Sequence, residues 1–353
     1  MQIAITGTGS YLPSIITKNE AFLDHDFRNN DGSPFEGDNT TIIDKFQSIT
    51  GIQERRYAPL EFNTSDLGYF AAQMALDDAG IDKEQVDYII FAHNFGDLTH
   101  GTDQGDTLPS LATRVKHQLQ LKNPSCVAYD LIFGCPGWIE GIIQAKAFIA
   151  SGMAKTCLVI GGETLSRIID PHDRDSMIYA DGAGAAVVQQ TPSGTGNILA
   201  HGSETHANGE AYHLFFGGSY APESPQDKRF IKMYGRKIYE FACTYVPMAM
   251  KKTLDKSGID IDKVKKIFIH QANEKMDEAI VKRFYRLYKK PVPKDVMPMM
   301  IQETGNSSVA TVPTLFDRVR RGKIGAHEVS PGDIVLFASV GAGMNVNCLV
   351  YRL

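Results

Sequence analysis

Residues 75–94 and residues 253–273 carry the same pattern, and this pair of segments decides the fold. The first reads ALDDAGIDKEQVDYIIFAHN and the second reads TLDKSGIDIDKVKKIFIHQAN. At a shift of 178 positions, seven residues are identical, including the glycines Gly80 and Gly258. In both segments a helical stretch ends at the glycine, and a short turn leads into an apolar run typical of a strand.

The rest of the chain alternates between helical patterns and short apolar runs. The runs are QIAITGTG, VDYIIFAHN, CLVIGGE, GAAVVQQ, KKIFIHQA, DIVLFASV and NCLVYRL. Strands that alternate with helices predict α/β layers around buried sheets. Any two αβ units share some likeness, but here the identities and the element order agree together. We therefore predict an α/β fold of two duplicated halves, residues 1–195 and 196–353.

Three further segments carry local predictions. In SDLGYFAAQMALDDAG, Ser65 is expected to cap a helix and Gly80 to end it. Residues 21–44 and 94–107 are polar and rich in Asn, Asp and Gly. Both are predicted to be long surface loops, and such loops often act as lids or binding loops.

Composition excludes several classes of function. The 353 residues carry a formal net charge of −5, so no overall basic field favours nucleic acid. The N-terminal sequence MQIAITGTGSYLP has no signal-peptide pattern, and no apolar run approaches the ~18 residues of a membrane span. The five cysteines form no CxxC pair, which favours free thiols in a reducing cytoplasm over disulfides or zinc.

Cys135 is the strongest candidate for chemistry. It lies in YDLIFGCPGWIEGIIQAKAFI, residues 129–149, between Gly134 and a proline at which a helix is expected to begin. A thiol at a helix N-terminus is expected to favour the thiolate form, and the flanking glycines permit a sharp turn. The pattern resembles a nucleophile elbow with Cys in place of Ser. The alternative is a small buried packing residue, the role expected of the other four cysteines.

Three other segments could complete the site. His270 ends the predicted strand IFIHQAN, where sites form in α/β folds, although a structural histidine fits equally. Asn306 lies in ETGNSSVATVP, an ordinary turn composition before a helix. The duplication sets this junction opposite the one that carries Cys135, so the two could converge with His270. The glycine-rich SVGAGMN, residues 339–345, could present a backbone N–H to an oxyanion.

Several motifs in order resemble the thiolase superfamily, and within it the β-ketoacyl-acyl-carrier-protein synthase III family. The motifs are ITGTGSYLP, TGIQERR, GCPGW, DPHDRDSMIYADGAGAAVV, FIHQAN, GNSSVATVP and the final GAGM. The resemblance implies a five-layered αβαβα fold and a homodimer. It implies a decarboxylative condensation of an acyl thioester, held on the cysteine, with a malonyl- or β-ketoacyl-type thioester, in fatty acid or related lipid or polyketide biosynthesis.

The resemblance also implies roles for particular residues. Cys135 would be the acylated nucleophile, with His270 and Asn306 as the other catalytic residues. Backbone N–H groups of Cys135 and Ala342, with Gly343 beside it, would form the oxyanion hole. The substrates would be thioesters of coenzyme A or of acyl-carrier-protein phosphopantetheine, and no metal or redox cofactor is implied.

Substrate contacts are carried over in the same way. Leu108, Trp138 and Arg174 are expected at the substrate site. Lys45 and Ile49 stand where the family usually places a Trp and an Arg that hold coenzyme A. These differences suggest a longer acyl group or a carrier-protein donor. Lys275 matches the family's basic contact for the acidic carrier protein.

Alternatives remain open at this point. The chain could condense two longer acyl chains, giving a dialkylresorcinol or cyclohexanedione precursor or a ketone. Ketone-forming relatives use a glutamate near LPS, and here only Asp103 and Asp106 are near. Cys-His-Asn sets also serve cysteine hydrolases, which is a remote alternative. The asparagine argues against elongating synthases, which use two histidines, and SVGAGMN lacks the second cysteine of degradative thiolases.

Overall fold

Two mixed β-sheets with matching strand order form the centre of the molecule. The computed structural model describes residues 2–102, 104–192, 196–225 and 227–353. The strands, in chain order, are β1 Gln2–Tyr11, β2 Ile15–Lys18, β3 Glu54–Tyr57, β4 Tyr88–Ala92, β5 Asp97–Leu98, β6 Gly105–Asp106, β7 Val127–Leu131, β8 Thr156–Thr164, β9 Asp181–Thr191, β10 Asn197–Thr205, β11 Leu214–Gly217, β12 Phe230–Met233, β13 Val264–Ile269, β14 Ile334–Gly341 and β15 Asn345–Arg352.

The two large sheets repeat one topology. The first has the order β1-β9-β8-β4-β7, and the second has the order β10-β15-β14-β13. In the first sheet β4 pairs with β8 in parallel, and in the second sheet β13 pairs with β14 in parallel. In each sheet the next long strand in sequence, β9 or β15, then pairs antiparallel with β8 or β14. Strand β14 follows β8 at the same shift of 178 positions that the sequence repeat shows. The predicted α/β fold of two related halves is thus confirmed.

The helices lie on both faces of both sheets. They are α1 Asn39–Thr50, α2 Thr64–Ala79, α3 Leu111–Gln118, α4 Gly137–Ala150, α5 Gly235–Ser257, α6 Glu274–Leu287, α7 Ile301–Thr304 and α8 Thr311–Arg320. Short 3₁₀ turns span Asn19–Phe22, Lys83–Gln85, Leu165–Arg167, Arg174–Ile178, Ala211–His213, Ile261–Lys263, Ser308–Ala310 and Ala342–Met344. Among the described residues, no helix has both the length and the apolar character needed to cross a membrane.

The three largest clusters of the hydrophobic core define five layers. Helices α2 and α3 pack on the outer face of the first sheet, and α5 and α6 pack on the outer face of the second. Helices α4 and α8 lie between the sheets, where Trp138, Phe316 and Phe337 are buried together. Burial of so much apolar surface on both faces explains why the sheet strands read as nearly continuous apolar runs.

Helix α2 differs in detail from the sequence-based expectation. It ends at Gly80 as predicted, with a positive φ of 62° at that glycine. Its N-cap, however, is Asn63, two residues earlier than expected. The carboxylate of Asp66 accepts the backbone N–H of Asn63 at 2.7 Å, while Ser65 donates its hydroxyl to Asp97 at 2.7 Å. Ser65 is therefore not the cap, because a long-range carboxylate takes its side chain.

Some predicted features are altered by tertiary contacts. Strands β7 and β10, which the sequence patterns did not single out, complete the two sheets. The predicted loop at 94–107 contains the small hairpin of β5 and β6, and residue 103 lies outside the described residues. The boundary between halves at 195/196 stays a prediction, since residues 193–195 also lie outside the description.

Candidate active site

Cys135, His270 and Asn306 line a single cavity of about 270 Å³. Cys135 lies in the turn between β7 and α4, His270 follows β13, and Asn306 follows α7. The two halves of the chain therefore both contribute to the site. The remaining wall is mainly apolar and includes Phe95, Ile132, Ile178, Tyr179, Leu214, Phe215, Phe216, Ile231, Met233, Val340 and Met344.

The turn before α4 holds the Cys135 thiol at the helix N-terminus, as predicted. Gly134 has a φ of 70°, and its carbonyl accepts the N–H of Gly137 at 2.9 Å. Burial raises the pKa of the Cys135 thiol to about 11, while a hydrogen bond from Ser308 lowers it. The expectation of a resting thiolate at neutral pH is therefore wrong, because desolvation outweighs the hydrogen bonds that favour the charged form.

The hydrogen bonds of His270 determine which ring nitrogen is free. Its backbone N–H donates to Ala338 at 2.9 Å, and its Nδ1 lies 2.7 Å from the hydroxyl of Thr311. That hydroxyl donates its only hydrogen to the carbonyl of Ser308 at 2.9 Å. Nδ1 must then be the donor, so this network assigns the free lone pair to Nε2. Burial lowers the pKa of His270 to about 4, so the imidazole is neutral at neutral pH.

Asn306 is held by contacts that leave its amide nitrogen free for the cavity. Its Oδ1 accepts the backbone N–H of Ser308 at 2.8 Å. Its own backbone N–H donates to Ile178, and its carbonyl accepts from Ala180, at 2.8 and 2.9 Å. Because the oxygen already has a partner, the side chain can offer Nδ2 as a donor.

Two glycine turns bring the backbones of Cys135 and Ala342 together. A Cβ on Gly134 would lie 2.8 Å from the nitrogen of Ala342, and a Cβ on Gly341 would collide with the backbone nitrogen of Cys135. Only glycine permits this approach at either position. Ala342 lines the cavity beside Cys135, whereas Gly343 is not among the lining residues.

A second cavity, of about 480 Å³, adjoins the first. The two share part of their walls: Ile178, Met233, Ile238, Ala272 and Met276. Lys45, Arg174 and Arg236 line the second cavity, together with Ile49. The guanidinium of Arg174 lies 4.2 Å from the ring centroid of Phe35. The pair of cavities forms an apolar passage with cations on its outer part.

Three other residues predicted for binding have different placements. Trp138 is 1% exposed and packs 5.9 Å from the ring of Phe337, in the layer between the sheets. Its assignment to the substrate site is therefore corrected, because α4 turns this side chain into the core. Leu108 is 88% exposed and lies outside both cavities of this chain. Lys275 is exposed on the first turn of α6, next to Asn273 and Met276, which line the second cavity.

Polar residues that the sequence did not single out also surround Cys135. Thr311 orients the imidazole, and Ser308 donates its hydroxyl to the Cys135 sulfur at 3.1 Å. Asn94 contacts both Ser308 and the buried Glu163. Asn94 and Glu163 lie at the carboxyl ends of the parallel strands β4 and β8. Because functional residues often lie at such strand ends, this position could have indicated a role for both. Within the described ranges, no His, Cys, Asp and Glu cluster has the arrangement of a metal site.

Comparison with known proteins agrees with the fold. A family model for 3-oxoacyl-[acyl-carrier-protein (ACP)] synthase III matches residues 129–209, and one for its C-terminal region matches residues 254–353. Beta-ketoacyl-[acyl-carrier-protein] synthase III 1 of Vibrio vulnificus (strain YJ016) is 34% identical over 355 residues, and the match covers 100% of each chain. Beta-ketoacyl-[acyl-carrier-protein] synthase III of Erythrobacter litoralis (strain HTCC2594) is 30% identical over 358 residues, covering 100% of this chain and 99% of the relative.

A solved structure gives the same result. The 3-oxoacyl-[acyl-carrier-protein] synthase III of Aquifex aeolicus VF5 is 28% identical, has a TM-score of 0.80, and covers 99% of this chain and 100% of its own. The fold and these matches define a thiolase-fold ketosynthase, an enzyme of the acyltransferase class. The chain belongs to the β-ketoacyl-[acyl-carrier-protein] synthase III family. The predicted family, fold class and enzyme class are confirmed.

Proposed function

We propose that Cys135, His270 and Asn306 carry out a decarboxylative condensation that produces a β-ketoacyl thioester. The observation that carries the proposal is their convergence, from both halves of the chain, on one apolar cavity. Membership of the synthase III family supports the same reaction, as a step of fatty acid biosynthesis. It gives no support to the remote alternative of a cysteine hydrolase.

Acyl transfer to Cys135 is the first half of the reaction. The neutral His270 accepts the thiol proton on Nε2, and the sulfur attacks the carbonyl of the acyl thioester. Backbone N–H groups of Cys135 and Ala342 donate to the oxyanion of the tetrahedral intermediate. The carbon–sulfur bond to the donor then breaks, and the departing thiolate takes the proton from the imidazole.

Condensation is the second half. A malonyl-type thioester loses CO2, and the electrons of the broken C–C bond form an enolate. Asn306 Nδ2 donates to the enolate oxygen. His270 donates from Nε2 after a change of tautomer, in which Thr311 turns its hydroxyl from the Ser308 carbonyl to Nδ1. The enolate carbon attacks the acyl carbonyl, the bond to the Cys135 sulfur breaks, and the thiolate takes up a proton from water, because the condensation as a whole consumes one proton. The bond changes are balanced by these groups, the two thioesters and one proton from water, so the proposed cycle calls for no metal or redox cofactor.

The passage suggests how thioesters reach the sulfur. The cations of the second cavity, Lys45, Arg174 and Arg236, would bind phosphates of coenzyme A or of carrier-protein phosphopantetheine. An acidic carrier protein would dock over Lys275, which is exposed beside that cavity. We expect Lys275→Glu to raise KM for the carrier-protein substrate most strongly at low salt. Lys155→Glu is the matched control, because Lys155 is exposed just before β8 and lines neither cavity. An equal rise in KM in both variants would contradict the docking site.

We also propose that the protein is a homodimer in the cytoplasm. Strand β7 is the edge of the first sheet, Ile132 beside it is 63% exposed, and Leu108 is 88% exposed. An unpaired edge strand next to apolar side chains is a common pairing surface. The cysteines Cys126, Cys135, Cys157, Cys243 and Cys348 are free, which suits a reducing compartment. Light scattering should give twice the monomer mass, and a monomer at micromolar concentration would refute the dimer.

The test of the reaction is product formation. Purified protein is incubated with acyl thioesters of increasing length and a malonyl thioester, and β-ketoacyl product is measured by mass spectrometry. We expect product from the wild-type chain and none from Cys135→Ala. A parallel incubation with β-ketoacyl thioesters tests the second candidate, condensation of two longer chains into a dialkylresorcinol or cyclohexanedione precursor or a ketone. The largely apolar wall of the first cavity is the observation that favours longer acyl chains.

A further inference from the structure

Three polar side chains that the proposed reaction does not use connect to the Cys135 sulfur. Glu163 is the penultimate residue of β8 and is 1% exposed, Asn94 lies two residues after β4, and Ser308 lies two residues after Asn306. Asn94 and Ser308 line the cavity, while Glu163 lies behind it. Burying a polar side chain costs free energy unless the group has a hydrogen-bond partner, and these three side chains are partners of one another.

The hydrogen bonds among them start at Asn94, which donates both to Glu163 and to Ser308. The backbone N–H of Asn94 donates to Oε1 of Glu163 at 2.9 Å, and its side-chain Nδ2 donates to the same oxygen. The second hydrogen of Nδ2 reaches the hydroxyl of Ser308 at 3.1 Å. The Ser308 hydroxyl in turn donates to the Cys135 sulfur at 3.1 Å. Because Asn94 occupies a lone pair of that hydroxyl, the hydroxyl hydrogen is turned toward sulfur.

The backbone at Ser308 reinforces this reading. Ser308 has a φ of 51°, in the left-handed region that favours glycine. Strain of this kind persists where the surroundings fix it and is concentrated at functional sites. Here the strained residue is the one whose hydroxyl contacts the nucleophile, and a glycine would relieve the strain but lose the contact.

We propose that Glu163, Asn94 and Ser308 form a hydrogen-bond chain that keeps a donor on the Cys135 sulfur and stabilises its thiolate. This rests on the proposed function, since it concerns the nucleophile of that reaction. Ser308 acts on the sulfur directly, and Asn94 and Glu163 are positioning residues that act through it. A donor to a thiolate favours the charged form and so opposes the effect of burial.

The charged and titratable groups that face the sulfur are consistent with this role. Burial raises the pKa of Glu163 to about 8, so at pH 7 it is mostly a neutral acceptor and adds little negative charge beside the thiolate. Tyr179 is neutral, because burial raises its pKa, and His270 is neutral, because burial lowers its pKa. Above pH 8 the ionised Glu163 would disfavour the thiolate.

The test is the pH dependence of Cys135 alkylation by iodoacetamide, followed by intact mass. The other four cysteines are buried, so the native protein reports mainly on Cys135, and Cys135→Ser gives the background. We expect Ser308→Ala and Ser308→Gly to move the alkylation midpoint upward by about 1 to 2 pH units, the size of a hydrogen bond to a charged group. Alanine keeps the strain and glycine removes it, so equal shifts assign the effect to the hydroxyl.

The positioning residues have matched controls. Asn94→Ala should shift the midpoint upward by less than the Ser308 variants. Glu163→Gln keeps the acceptor for Asn94 and Glu163→Leu loses it, while both remove the carboxylate charge, so the midpoint should lie lower in Glu163→Gln than in Glu163→Leu. Ser307→Ala removes the neighbouring hydroxyl and should change nothing. A wild-type profile in both Ser308 variants, or an equal shift in Ser307→Ala, overturns the proposal. Alkylation needs no acyl substrate, so this outcome is distinct from failure of the condensation assay.

Discussion

At the residue scale, the site combines a half-buried thiol with a buried neutral base. Burial raises the pKa of Cys135 to about 11 and lowers that of His270 to about 4. Neither group is charged at pH 7, so proton transfer from thiol to imidazole must accompany attack on the thioester. The mainly apolar wall of the cavity also strengthens each hydrogen bond to an oxyanion, because the local dielectric is low.

The pKa of His270 predicts where acylation is lost in acid. The base is active only as neutral imidazole, so activity present above the folded pKa is lost as pH falls through about 4. The rate of Cys135 acylation should therefore stay nearly constant between pH 8 and pH 5. Rapid-quench measurement of acyl-enzyme formation checks this, with folding monitored by circular dichroism. A fall centred near the ordinary imidazole value of about 6.5 would contradict the burial of this base.

Asn306 offers a separation of the two half-reactions. Its Oδ1 is occupied by Ser308, and its Nδ2 is reserved for the enolate in our proposal. Asn306→Ala should retain acylation of Cys135 but lower condensation by about 10²- to 10³-fold, the usual cost of one oxyanion donor. Intact mass measures the first step and product formation measures the second. Equal loss of both steps would show that the amide does not act selectively on the enolate.

At the element scale, the β11–β12 hairpin forms a wall of the first cavity and is fixed by a buried ion cluster. Lys232 on β12 is 1% exposed and contacts Asp170 at 2.5 Å and Asp173 at 3.2 Å. Its ammonium also lies 3.3 Å from the ring centroid of Tyr220. Because residues of this hairpin line the cavity, the ion cluster also fixes part of the wall of the proposed acyl site. These residues are Leu214, Phe215, Phe216, Ile231 and Met233.

Removing the ammonium should leave two buried carboxylates without their cation. We expect Lys232→Met to lower the free energy of unfolding by about 3 to 5 kcal/mol, the cost of breaking a buried ion pair. Lys252→Met, which breaks an exposed pair with Glu204, is the control and should cost less than about 1 kcal/mol. Urea denaturation measures both. Similar losses in the two variants would show that the buried cluster does not hold the hairpin.

The sequence predicts elements better than it predicts their contacts. Strands such as β8 and β14 were found because each is a continuous apolar run, and the helix beginning after Pro136 was found from its turn chemistry. Strand β10 was missed because its buried and exposed positions alternate irregularly. The prediction that Ser65 caps the helix was wrong, because the Ser65 hydroxyl donates a hydrogen bond to Asp97, 32 positions away. Tertiary partners decide such details, and local patterns do not contain them.

At the scale of the whole molecule, the duplication explains how the site forms. Matching sheets bring the carboxyl ends of parallel strands from both halves to one cavity, so Cys135, His270 and Asn306 meet although they are distant in sequence. The motifs around these three residues made them predictable. The contacts of Glu163 with Asn94, 69 positions apart, and of Asn94 with Ser308, 214 positions apart, have no local signal. Burial, and hence the pKa of the thiol, likewise depends on the assembled layers.

The central claim is that the Cys135 sulfur carries the acyl group. The most direct measurement is intact mass followed by peptide mapping, after incubation with an acyl thioester and no malonyl thioester. The account predicts one acyl group per chain, located in the peptide that contains residues 129–149, and none in Cys135→Ala. An adduct that persists in Cys135→Ala, or that maps to another residue while Cys135 stays free, would contradict it.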